Sequence, residues 1–169
     1  IDERSCRPGW PGQRQDHREA IFTTHSGDGD YNVYPIRSVR GPDGWKYVRN
    51  LHPEFLYTTH VTKTRADNAY WDSWVRSSRS DPEARKIVHR YQYRPAEELY
   101  DTNADPWELH NLIDEPAQAQ RVRRLRKQLD GWMAETQDNE MVFGHARHIA
   151  SGDKPNIITV FIDDMGWSD

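Results

Sequence analysis

A single cysteine, Cys6, leaves no partner for an intrachain disulfide. No apolar run reaches the roughly 20 residues of a membrane span. No charged-then-apolar leader opens the sequence, and Ile1 is not an initiator methionine, so the natural start is expected upstream. Apolar residues are scarce too: 35 % of the chain, with mean hydropathy −1.04. That supply is thin for an independent core, and suits a piece that completes its core against something else or keeps a large wet surface. Nor is one sign of charge in command. There are 23 Lys and Arg against 27 Asp and Glu, net −4, which argues against a nucleic-acid binder. A small anionic substrate stays open, because a local basic pocket can exist in an acidic protein. Internal repeats and low-complexity tracts are also missing.

Aromatics, by contrast, are plentiful. Seven Trp and eight Tyr in 169 residues either build the core of a small layer or line a groove for a polar ligand. The most informative stretch is the last, Lys154 to Asp169. A Pro-Asn start leads into the β-branched run Ile157-Ile158-Thr159-Val160-Phe161-Ile162, then into Asp163-Asp164 and Gly166. Continuous apolar character suits a strand buried on both faces. Two carboxylates at the carboxyl end of such a strand repel each other and invite a hard cation such as calcium or magnesium. A plain strand-end turn explains paired aspartates equally well.

Elsewhere the pattern predicts short elements. Strands are expected over Glu19–Thr24, Tyr31–Arg40, Trp45–Asn50 and Glu98–Asp101, with the second and third joined as a hairpin by Gly41-Pro42-Asp43-Gly44. Tyr70, Trp71, Trp74 and Val75 share one helical face within 66–77. Asp81-Pro82-Glu83 reads as a helix start, Asp81 as N-cap and Pro82 in the first position, with the helix running through Ala84 to about Arg90. The longest predicted helix covers 116–135. Val122, Leu125, Leu129, Trp132 and Met133 form its apolar stripe, and Arg121, Arg123, Arg124, Arg126 and Lys127 read as a solvated face. Residues 136–153 are polar and irregular.

Two stretches resemble the sulfatase family. Glu98-Leu99-Tyr100-Asp101 through Asp105-Pro106, Glu108 and Asn111-Leu112 is similar to the signature E-L-Y-D-x-x-x-D-P-x-E-x-x-N-L near the carboxyl end of those enzymes, and Lys154–Asp169 looks like their opening strand. Tyr34–Arg40, Tyr47–Leu51, Tyr91–Arg94 and Trp132–Asp138 resemble more narrowly the carboxyl-terminal region of the sulfamidase branch, which acts on N-sulfated glucosamine of heparan chains. The resemblance implies an α/β fold, a fragment of the alkaline-phosphatase and sulfatase type. It would hold a small antiparallel sheet packed by the long helix, plus one strand of a larger sheet. The domains would be residues 1–140 as a carboxyl-terminal subdomain, 141–153 as linker and 154–169 as the metal-binding strand. The order is inverted relative to the family, through permutation, a junction of tandem units or an artefact.

The resemblance implies hydrolysis of sulfate esters or N-sulfates on glycosaminoglycan-type sugars, with Asp163 and Asp164 ligating Ca2+. It also implies a formylglycine nucleophile made from Cys or Ser in C/S-x-P-x-R. Cys6-Arg7-Pro8-Gly9-Trp10 offers the Cys and Pro but puts Trp where Arg belongs, so the formylglycine is expected in the full-length family and not here, and the chain alone is expected to be inactive. The family's other metal and catalytic residues find no matching motif. His25, Arg37 and Arg40 are the candidate substrate-binding residues, since arginine grips sulfate and carboxylate bidentately. The plainer reading makes them a polar turn residue and a hairpin surface pair. Tyr91, Tyr93 and Trp107 read as packing between sheet and helix. The expected partners are a sulfated saccharide and either the remainder of a sulfatase or a second copy of the chain, with no nucleic acid and no membrane. The family's compartments are periplasmic, extracellular or lysosomal. The competing reading is a non-catalytic sugar-binding or accessory module descended from such an enzyme.

Overall fold

The structure, a computed structural model, describes residues 19–27, 32–62 and 69–149. The chain divides into two compact units interleaved in sequence. The first takes Ile1–Thr24, Ile36–Arg49 and Glu97–Asn139, the second His25–Pro35, Asn50–Ala96 and Glu140–Asp169.

The first unit is the small sheet and its helix. β1 (Ile21–His25), β2 (Ile36–Arg40), β3 (Trp45–Asn50) and β4 (Glu97–Asp101) lie side by side in chain order. β3 spans the predicted residues. β2 is shorter than expected and begins at Ile36. Pro35 has no N–H to give a ladder, and the Tyr34 N–H turns back to the Asn32 carbonyl at 3.1 Å. The β2–β3 turn closes through Gly41 N–H to the Trp45 carbonyl at 2.9 Å. Gly44 sits at φ +82°, and a Cβ there would meet the Asn103 amide nitrogen at 2.3 Å, so the turn demands glycine.

β3 and β4 run antiparallel with Trp45 opposite Asp101, Tyr47 opposite Leu99 and Arg49 opposite Glu97. Period two puts all six of these on one face. Onto that face packs α3 (Ala119–Glu135), entered through a 3₁₀ turn at Pro116–Gln118. Its buried stripe is Val122, Leu125, Leu129 and Met133. Trp132 stacks flat on Phe22 of β1, ring centres 5.0 Å apart. The predicted solvated arginine face is only partly so. Arg121 lies over the Trp45 ring at 3.9 Å, and Arg126 forks onto Glu97 through Nε at 2.9 Å and Nη2 at 2.6 Å. Periodicity marks these positions as non-core, but a facing strand with its own carboxylate and indole captures them.

The second unit is helical and aromatic. α1 (Ala69–Ser77) and α2 (Pro82–Gln92) form a hairpin. Asp81 caps α2 as predicted, its Oδ1 accepting from Glu83 N–H at 2.9 Å and Ala84 N–H at 3.3 Å, with Pro82 in the first turn. The core is a chain of rings: Trp71 on Tyr91 at 5.1 Å, Tyr91 on Tyr57 at 5.4 Å, Tyr57 on Tyr34 at 5.2 Å. Much of the aromatic surplus therefore fills a core that aliphatics are too few to fill. Residues 147–149 of the expected linker pair with 54–56, through Leu56 N–H to the Arg147 carbonyl and Ile149 N–H to the Glu54 carbonyl. The apolar run 157–162 lies outside the described residues.

Candidate functional site

The sulfatase-like signature occupies β4 and the loop that leaves it. Asp101 accepts the Asn103 and Ala104 N–H groups at 3.1 and 3.3 Å, which folds the chain sharply out of the strand. Asp105 repeats the device one turn later, taking the His110 N–H at 2.8 Å. Burial opposes the Asp105 charge, but the His110 and Leu109 N–H groups outweigh it and hold the carboxyl below its ordinary value. Glu108, at φ +53°, accepts both its bonds from Lys46 Nζ of β3, at 2.8 and 2.9 Å. Asn111 then lies along the outer edge of β4. Its Oδ1 accepts from Leu99 N–H at 2.9 Å and Ile113 N–H at 3.1 Å, its Nδ2 donates to the Glu97 carbonyl at 3.3 Å, and Leu112 N–H reaches the Leu99 carbonyl at 2.8 Å. β4 is an edge strand, and this side-chain amide takes the place of a missing ladder partner. Asn111→Ala is expected to cost about 1–3 kcal/mol, the usual penalty for unsatisfied strand donors. Hydrogen exchange checks it: the Leu99 amide should lose protection while the α2 amides keep theirs.

The signature thus builds architecture. Glu98 is buried and receives the Tyr100 hydroxyl, so neither faces a ligand. Glu97, one residue earlier, receives both Arg126 and the Tyr47 hydroxyl. Partial burial works against its charge, but Arg126 and Tyr47 prevail and depress its pKa. Burial and the hydrogen bond to Glu97 raise the Tyr47 pKa in turn. Because the folded-state value of Glu97 is lowered, its contribution to stability is complete above the ordinary carboxylate range near about 4.3 and lost as the pH falls through the folded value.

The predicted substrate-binding residues each have their own surroundings. Arg37 is buried on β2, and its guanidinium forks onto Asp138, with Nε on one oxygen and Nη2 on the other at 2.9 Å. His25, at the end of β1, lies with Nε2 3.2 Å from the Asn32 carbonyl. Arg40 is exposed at the end of β2. Just beyond it the β2–β3 turn and α3 enclose a recess of about 570 Å³ lined by Glu19, Asp43, Arg124, Lys127 and Gln128, where Arg124 reaches Asp43 at 3.2 Å. Two cations and two carboxylates there can hold hydroxyls or an anion, and the lining carries no Cys, Ser or Thr side chain. Sequence reading passed over it because Arg124 and Lys127 looked like any other members of the arginine run.

Trp107 was expected in the packing. It is 81 % exposed, in a turn closed by the Glu108 N–H on the Asp105 carbonyl at 3.1 Å. Tyr91 does pack, within the ring chain of the second unit, and Tyr93 stacks on His89 at 4.5 Å. Asp163 and Asp164 lie outside the described residues. Among the described residues no three His, Cys, Asp or Glu side chains gather as cation ligands. No described helix is long and apolar enough to cross a membrane.

No protein-family model matches the chain. It is 34 % identical over 110 residues to the N-sulphoglucosamine sulphohydrolase of Homo sapiens, a match covering 62 % of this chain and 21 % of that protein. It is 29 % identical over 104 residues to an ulvan-active sulfatase of Formosa agariphila, covering 62 % of this chain and 17 % of the relative. The chain therefore spans about a fifth of the length of these curated relatives. Among solved structures, a 2-O GAG sulfatase superposes with a TM-score of 0.45 at 19 % identity, over 78 % of this chain and 20 % of that one.

Proposed function

We propose that this sulfatase-related chain is the carboxyl-terminal module of a hydrolase that removes sulfate from sulfated sugars, joined to a strand that supplies two ligands to the cation of such an enzyme. The observation that carries the reading is the signature itself. Glu98 to Leu112 closes the outer edge of a four-stranded sheet under α3, in a chain related in sequence to two sulfatases. A segment whose carboxylates and amide are consumed by turns and a strand edge supports a site and performs no chemistry. The finer assignment, to N-sulfated or glycosaminoglycan-type sugars, rests on the sulfamidase-like stretches and on the name of the human relative.

Two measurements test this module without assaying turnover. Cys6 should be found as a thiol by intact mass and stay unreactive towards a hydrazide, because Trp10 stands where the modification motif has arginine. An aldehyde at Cys6 would contradict the reading. Calcium titrated by calorimetry should bind no more tightly than about millimolar, since two carboxylates supply too few of the six to eight oxygens the ion takes. Asp163→Ala should leave the melting temperature unchanged. Micromolar binding abolished by that substitution would mean that the chain completes a cation site by itself.

A further inference from the structure

The charge of this chain is unevenly distributed. Overall it is −4, yet between residues 76 and 94 six arginines or lysines stand against Asp81 and Glu83. Both acids are already engaged, Asp81 as the α2 cap and Glu83 on Lys86 at 2.7 Å. The basic side chains are ordered by the helix. Val88 marks the buried side of α2. At 3.6 residues per turn, Arg85, His89, Lys86 and Arg90 then follow one another over roughly 140° of the helix surface, starting beside Val88 and ending opposite it. Arg85, Lys86 and Arg90 are exposed, and His89 is half-buried. Arg85 is fixed in place, its Nε donating to the Ser78 carbonyl and its Nη2 to the Arg79 carbonyl, both at 3.0 Å. Beside these cations Ile87 is 51 % exposed, and a recess of about 770 Å³ opens along the same surface.

A basic strip with apolar surface at its side, on an acidic protein, concentrates polyanions locally while the rest of the surface repels them. We infer that the α2 face binds a stretch of sulfated polysaccharide. The sulfated class of ligand rests on the function proposed above, whereas the preference for a polyanion follows from the charge arrangement. Arginine and lysine grip sulfate oxygens through charge-assisted hydrogen bonds, and Ile87 offers the apolar contact a sugar ring can cover. Such a surface acts on long substrates by raising their local concentration and leaves short ones unaffected.

The test is calorimetric titration of the purified chain with a heparin oligosaccharide of defined length, and with its chemically desulfated counterpart, at two salt concentrations. The sulfated probe should bind with an affinity that falls as salt rises, and the desulfated one should not bind. Lys86→Gln with Arg90→Gln should weaken binding roughly tenfold and flatten its salt dependence, while circular dichroism shows α2 intact. Arg123→Gln with Arg147→Gln removes the same charge from exposed positions outside α2 and should change affinity little. Equal binding of the desulfated probe, or a larger loss from that pair than from the α2 pair, would overturn the inference. So would equal, Lys86-dependent binding of an acidic polypeptide such as polyglutamate, which would make the strip a protein-docking surface. None of these outcomes bears on the state of Cys6 or on calcium, so the two proposals fail separately.

Discussion

Arg37→Ala should destabilise the fold by about 3–5 kcal/mol, the cost of stranding a buried charge. The Arg37 and Asp138 side chains are 4 % and 9 % exposed, and they fasten the middle of β2 to the segment that follows α3. Deleting the guanidinium leaves the Asp138 carboxylate buried without its fork. Replacing both partners by apolar residues of similar volume, Arg37→Met with Asp138→Leu, should recover most of the loss, because the pair's mutual attraction does little more than offset its own desolvation. Urea denaturation of the three proteins checks this. A single variant as stable as the parent would show that Arg37 is available to a ligand.

Leu129→Ala is the second large effect, about 2–5 kcal/mol. Leu129 is fully buried at the centre of the α3 stripe, between Leu125 and Met133, and pins the helix to the sheet. The loss combines the transfer of the deleted atoms with the cavity they leave. The chain's apolar supply is thin, so few neighbours can collapse into the gap. Thermal melting should show the loss, and exchange should speed at β2 and β3 amides beneath α3. Unfolding confined to α3, with the sheet still protected, would mean that helix and sheet are held together elsewhere.

The sequence disclosed those parts of the fold that local rules govern. Trp45–Asn50 was legible as a strand because alternation and the Gly-Pro-Asp-Gly turn agree. Asp81-Pro82 announced α2, and the stripe from Val122 to Met133 announced α3, each within a single element. What stayed hidden was set at long range. Arg37 finds its partner at residue 138, and Arg126 of α3 finds Glu97 on β4. A charged residue on a strand looks the same whether water or a distant carboxylate receives it. The interleaving of two units was hidden too: the chain returns at residues 36, 50, 97 and 140, and a composition shift accompanies the last of these alone. Asn111 carried a signal in the signature, but the spacing does not say that its amide serves a strand edge. Arg37, Arg40 and His25 each have the chemistry to meet a sulfated sugar. Arg37 is spent on Asp138, His25 lies against the Asn32 carbonyl, and Arg40 remains exposed at the hairpin end.

The central proposal is that this chain, similar in sequence to two sulfatases, supplies a supporting module and does not itself turn over a sulfated substrate. Turnover by the purified 169-residue chain tests this most directly. The substrates would be an aryl sulfate and an N-sulfated glucosamine, supplied with calcium, under conditions where circular dichroism shows the chain folded. The account predicts no release of sulfate above the buffer rate from either substrate. Sustained release that scales with protein concentration would contradict it.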